Sequence, residues 1–274
     1  MTLLDIEEKF DITIESYFDY ERTRLDLALR HMLTWDLPHT VLAADIRVIN
    51  RRLLSLLAAG KLYVDQLEHD FVTLYGRRSQ QWVSVEEKRR TLRSASLGYQ
   101  VAAVLRDHIQ HRGLPVNTLY YQKTAKDEDG QRRLQAGADP YLDVHELQSD
   151  REVRKDKELF DRLQGLGRRV PVTPLIKDYL GCLGELHKKV REITSADGGA
   201  WEGDLRALLS RAEAAFGPAP VVAVVELRED GSYGEEHHVF DDLLELRPAL
   251  LRKNAFLSNL AQWFVSTEHT RRDT

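Results

Sequence analysis

The chain has 274 residues, 42% hydrophobic and 30% charged, with a formal net charge of −5. This composition suits a soluble, helix-rich globular protein and excludes a disordered chain, and the mild negative charge argues against nonspecific coating of nucleic acid while leaving room for a local basic site. Cys182 is the only cysteine, which excludes an intrachain disulfide and a Cys-based zinc site and fits a reducing compartment.

The opening segment MTLLDIEEKF is acidic, and its apolar run is too short for the core of a secretion signal. No stretch approaches the ~18 apolar residues that cross a bilayer, so a cytoplasmic protein with no membrane partner is expected. From Asp5 to about Thr34, residues such as Phe10, Ile14, Tyr17, Leu25 and Leu29 recur near helical spacing, and Leu37-Pro38 breaks the pattern. A second, long helix is predicted from about Thr40 to Tyr75, with Gly60 weakening its middle by up to ~1 kcal/mol relative to Ala and Gly76 closing it. A third is predicted to start at a capping box, Ser84 to Glu87, and to run through Leu92, Leu97, Val101 and Leu105 to Arg112. Gly113, in a left-handed conformation, and Pro115 then supply the stop.

Beyond this point the texture becomes β-prone. Val116 to Thr124, a KDEDG turn and a returning QRRL predict a hairpin, followed by an irregular stretch through Gly137, Asp139 and Pro140. Charged helices are predicted from about Asp150 to Leu166, Pro174 to Ile193 and Trp201 to Phe216. A second hairpin pairs VVAVVELRE with EHHVFDD across Asp230-Gly231, and a last helix runs from about Leu243 to Val265. The expected architecture is mostly α: a single decorated domain over 1–274, with a helical bundle over about 1–115. Hairpin and helical additions follow over 116–274, the two hairpins forming one small added sheet.

Several chemistries find no support. Cys182 sits among apolar neighbours in YLGCLGEL with no cation beside it to lower its pKa, which marks a structural thiol. There is no G-x-S-x-G elbow, Gly-rich phosphate loop or dinucleotide fingerprint. His108 and His111 lack a third ligand fixed by sequence. In HHVFDD, His237 and His238 are adjacent on a strand and should point to opposite faces, away from a shared ion with Asp241 and Asp242. No metal and no cofactor is expected.

What remains is RDHIQHRGLPV, Arg106 to Val116. Asp107 and His111 fall on one helical face at i, i+4, and Arg106 flanks the same rim. His111 lies in the last turn, where exposed carbonyls, and Asp107 with them, favour a charged imidazole. A histidine that moves a proton beside a guanidinium that holds phosphate is a workable pair for phosphodiester chemistry. Cations at helix C-termini are also favourable in their own right, and Arg24 and His31 fit the same bare spacing. Position singles out Arg106 and His111, because they close a helix with a stop attached.

VAAVLRDHIQHRGLPV resembles the HEPN superfamily, whose signature is an Arg, a polar residue and a His four to six positions beyond the Arg, near the end of a long helix. The likeness covers roughly Thr40 to Val116. It implies an antiparallel helical bundle and a metal-independent endoribonuclease of the toxin–antitoxin, antiphage or RNA-processing kind. Such a protein acts on RNA as a homodimer, with a regulatory protein as a further partner. Carried onto this chain, Arg106 would stabilise phosphate charge, His111 would be the acid/base and Asp107 would orient them. Arg112 and His108 would contact substrate. The polar position, often Asn, is Asp107 here, and Gly113 stands where a subgroup paired with small nucleotidyltransferases has Tyr. The alternative is a non-catalytic helical protein–protein interaction module on the same bundle.

Overall fold

The computed structural model describes residues 2–34, 38–111, 113–128, 131–147, 156–218, 220–228, 230–239, 241–256 and 260–262. The protein is mostly α, with small antiparallel sheets added. Helices α1 (Thr2–Leu33) and α2 (His39–Tyr75) are the two long helices that the apolar periodicity predicts. They run antiparallel, as the ties Lys9–Asp70, Asp19–Arg52 and His31–Asp45 show. Gly60 sits where α2 meets α7 (Val172–Phe216), and a Cβ there would press on the Tyr179 ring at 3.1 Å and on Leu183. The glycine that weakens α2 in isolation is what leaves room for the Tyr179 ring and the Leu183 side chain.

The predicted third helix is two. α3 (Gln80–Ala95) is capped by Ser79, whose hydroxyl accepts from the Trp82 amide, so Ser84 lies inside the helix and forms no cap. α3 ends at Ser96, and α4 (Leu97–His111) begins there. Ser96 Oγ accepts from the Tyr99 amide at 2.9 Å and donates to Asp178 of α7 at 2.7 Å, while the Gly98 amide donates to the same carboxylate at 2.8 Å. Capping side chains thus replace the backbone bonds that a continuous helix would make.

β1 (Val116–Glu128) pairs antiparallel with β2 (Gln131–Asp143), and β3 (Arg169–Pro171) pairs with the other edge of β2. The stretch expected to be irregular is therefore strand: Gly137 faces Gln122, Asp139 faces Tyr120 and Pro140 faces Leu119. Arg24 of α1 pins it, donating to the Ala138 carbonyl at 3.1 Å and to Asp139 at 2.6 Å. Two short helices follow, α5 (Val144–Leu147) and α6 (Lys157–Gly165), the latter capped by Asp156. The predicted start of this helix, from Asp150, lies outside the described residues.

α7 runs for 45 residues without a break, where two helices were expected. The Gly198-Gly199 pair that suggests an end is tolerated because Gly198 is a contact point: a Cβ there would lie 2.9 Å from Arg247 and 3.0 Å from Leu3. Packing on that bare surface offsets the ~1 kcal/mol that each glycine costs a helix. β4 (Val222–Leu227) and β5 (Tyr233–Val239) form the second hairpin as predicted, turning at Gly231 with φ 79°. It makes its own sheet and does not join the first, where β3 already occupies the edge of β2.

The last helix, α8 (Asp241–Lys253), stops well short of the predicted Val265. Lys253 and Asn254 are tied to Asp11, and the Asn254 carbonyl accepts from Arg191, which turns the chain away. Pro248 has no N–H for the Leu244 carbonyl, which accepts instead from Arg206 of α7 at 3.2 Å. The core is shared by α1, α2, α4, α7 and the first sheet, with Phe10, Tyr20, Leu57, Phe71, Leu105 and Leu183 essentially inaccessible. Among the described residues no helix is long and apolar enough to cross a membrane.

Candidate functional site

The inward face of α4 carries Val101, Ala102, Leu105 and His108, each at most 7% exposed. His108 follows Leu105 and Val101 at helical spacing and packs inward with them. It is therefore removed from the residues expected to meet substrate. The opposite side presents Arg106, Asp107 and, in the final turn, an exposed His111. The Arg106 Nη1 donates to Asp107 Oδ1 at 2.8 Å, with the two side chains 28% and 43% exposed. The carboxylate expected to face His111 is thus engaged by its sequence neighbour, and among the described residues no hydrogen bond joins Arg106 to His111. Arg112 lies outside the described residues. Gly113 does not take the predicted left-handed conformation, and a Cβ there would meet nothing within 4 Å. The helix is closed instead by the Gly113 amide reaching the His108 carbonyl at 3.2 Å.

Beside this helix end lies an open groove of about 760 Å³ between α3, α4 and the start of α6. Arg90, Arg93 and Lys157 line it together with Asp107, Asp156 and Glu158, so cations and carboxylates balance. The basic start expected of the third helix is largely self-compensated. Arg89 and Arg90 both bind Glu86, whose carboxyl burial would raise but these guanidiniums hold below its ordinary range. Lys88 lies 3.7 Å from Glu185. Among the described residues, only Asp107 of the expected site lines this groove; at the helix end itself stands an accessible imidazole about one and a half turns beyond a partly exposed guanidinium that spends one of its N–H groups on Asp107.

The competing pair, Arg24 and His31, is structural. Arg24 is held by Glu21, Asp139 and the Ala138 carbonyl. His31 is buried against Asp45 at 3.0 Å, and the Tyr121 hydroxyl donates to the same carboxylate at 2.8 Å. Burial first, and Asp45 second, push the Tyr121 hydroxyl upward. Cys182 is buried, and burial raises its thiol pKa. His237 and His238 pair in register with Val224 and Ala223, and among the described residues no three His, Cys, Asp or Glu side chains gather as metal ligands would.

One cluster was invisible in the sequence. His187, wholly buried, bonds Tyr63 through Nδ1 at 2.9 Å and Glu7 through Nε2 at 3.0 Å, and Phe10 stacks on its ring. Arg191 completes it with a 2.6 Å bond to Glu7. Burial lowers the His187 pKa, against the pull of Glu7. Burial alone would raise Glu7, but the hydrogen bonds from His187 and Arg191 hold it at about 2. A neutral His187 that donates from Nε2 and accepts from Tyr63 satisfies every partner. The only local signal was a histidine in phase with Leu183, Leu186 and Val190, because its partners lie 124 and 180 residues away. With Glu7, Tyr63 and His187 buried, this cluster serves stability.

Comparison of the chain with protein-family models, curated proteins and solved structures finds no match.

Proposed function

We propose that the protein is a metal-independent endoribonuclease of the HEPN kind, with Arg106 and His111 as its catalytic pair and Asp107 as a positioning residue. One observation carries this reading: the last turns of α4 hold Arg106 and His111 at the solvent while the neighbouring His108 is turned into the core. His111 transfers a proton at the 2′-hydroxyl or the leaving oxygen, and Arg106 neutralises charge gathering on the phosphate. Asp107 holds the guanidinium until phosphate competes for it. An Arg/His pair needs no cation for this chemistry. The protein would act in the cytoplasm as a homodimer, in a toxin or antiphage setting and under the control of a protein partner.

The test is cleavage of total RNA in EDTA. The wild type should cut, and His111→Ala and Arg106→Ala should each slow cleavage by ~10²–10⁴-fold. Activity that vanishes with chelator and returns with magnesium, or a His111→Ala chain as active as wild type, overturns the proposal.

A second reading, a non-catalytic interaction module, is favoured by the exposed apolar residues at the second hairpin, Val221, Leu227 and Tyr233, which are 83%, 69% and 77% exposed. It requires that the wild type leave RNA uncut.

A further inference from the structure

Arg247 of α8 is only 8% exposed and lacks a full set of partners. Its Nη1 donates to Glu202 at 2.6 Å, whereas its Nε is buried with no hydrogen-bond partner. Interiors seldom leave such a donor unpaired. The guanidinium lies over Gly198 of α7, where a Cβ would come within 2.9 Å of Nη2 and 3.0 Å of Nη1. The absent side chain makes a seat for it. Beside Arg247 opens a cavity of about 500 Å³, bounded by the start of α1, the end of α2, α7, the second hairpin and α8. Small-molecule sites commonly enclose ~300–1,000 Å³. Its walls are mostly apolar, built from Leu3, Leu74, Trp201, Leu205 and Val239, with Glu202 lining it beside Arg247 and His237 and His238 on the hairpin side.

We propose that this cavity binds a small amphipathic carboxylate, an acyl or aryl chain ending in one carboxylate group. The tail lies along the apolar wall, and the two oxygens accept from Nε and Nη2 of Arg247. Glu202 occupies only the Nη1 side of the guanidinium. The opposite edge carries Nε and Nη2, whose parallel N–H groups suit a bidentate carboxylate once a ligand entering from the cavity uncovers the buried Nε. A cation would be placed against the guanidinium, and a wholly apolar ligand would leave Nε as it stands. The proposal is independent of the chemistry at the end of α4.

The experiment is isothermal titration of the full chain with decanoate below its micellar concentration, and with 1-decanol, which has the same chain length and no charge. Decanoate should bind roughly tenfold or more tightly than decanol. Arg247→Met should bring decanoate down to the level of decanol. Val224→Trp, at a cavity-lining hairpin position that is 47% exposed, should fill the space without altering any bundle residue and abolish binding of both probes. Equal affinity for the two probes, no binding of either, or undiminished decanoate binding by Val224→Trp overturns the proposal. The hairpin variant keeps the test decisive if Arg247→Met loosens the fold.

Discussion

At the scale of single residues, the buried Glu7–His187–Tyr63–Arg191 cluster governs acid stability. His187 has a pKa below its ordinary 6.5 in the folded chain, so the unfolded chain binds more protons below pH 6.5 and stability falls there. Glu7 sits at about 2 instead of 4.5, so its contribution is complete above pH 4.5 and is lost as pH falls from 4.5 toward 2. Urea midpoints should therefore decline below pH 6.5 and again below 4.5, and His187→Gln should shallow the first decline. Glu7→Ala leaves the partly buried Arg191 without its carboxylate and the buried His187 without an acceptor, and should cost about 2–4 kcal/mol in urea unfolding at pH 7. Gly113 behaves differently from its sequence reading. With open space and no left-handed φ, Gly113→Ala should change stability by less than ~1 kcal/mol and leave His111 in place, as a melting curve and an RNA-cleavage assay would show. The inward turn of His108, which the sequence reading set against substrate, follows from its helical spacing to Val101 and Leu105. The Arg106–Asp107 pair was not, because helical geometry favours i, i+4 partners and says nothing of how adjacent side chains bend toward each other.

At the scale of elements, the start of α4 sets where the end proposed to be catalytic can stand. Ser96, Gly98 and Asp178 fix α4 on α7, and a methyl group at Gly98 would run into the Leu175 carbonyl and come within 2.7 Å of Asp178 Cβ. Ser96→Ala should cost about 0.5–2 kcal/mol through the lost cap. Gly98→Ala should cost about 1–3 kcal/mol through overpacking and reduce RNA cleavage as α4 shifts; urea unfolding and the cleavage assay measure the two effects. The extent of α1 and α2 and the second hairpin's turn at Gly231 could be read from the sequence, since periodicity and turn residues act over a few positions; the first hairpin's strand runs on to Glu128 through residues expected to turn. The break at Ser96 could not, because its acceptor lies 82 residues away. The continuity of α7 was hidden for the same reason: a Gly-Gly pair reads as a helix end until Arg247 is known to lie on it.

At the scale of the whole molecule, one Arg/His pair supplies a single proton-transferring group, whereas RNA cleavage asks for one at the attacking oxygen and another at the leaving oxygen. Two copies facing each other would supply both. Light scattering at micromolar concentration should then give a dimer, and equal amounts of wild-type and His111→Ala chains, allowed to exchange, should retain about one quarter of wild-type activity instead of the ~one half expected of independent sites. A monomer that still cuts RNA would overturn the composite site. The unbroken α7 carries a separate consequence. At 1.5 Å per residue it is a rod of roughly 65 Å, and the seat at Gly198 lies ~30 Å along it from Asp178, which anchors α4. Exposed charges in physiological salt are screened beyond ~8 Å, so direct electrostatics between the two ends is weak over that distance. Its middle is held in the core at Leu183 and Leu186, so a wedge at Gly198 that moved the helix as one body would reach the α4 anchor as a tilt of the whole rod.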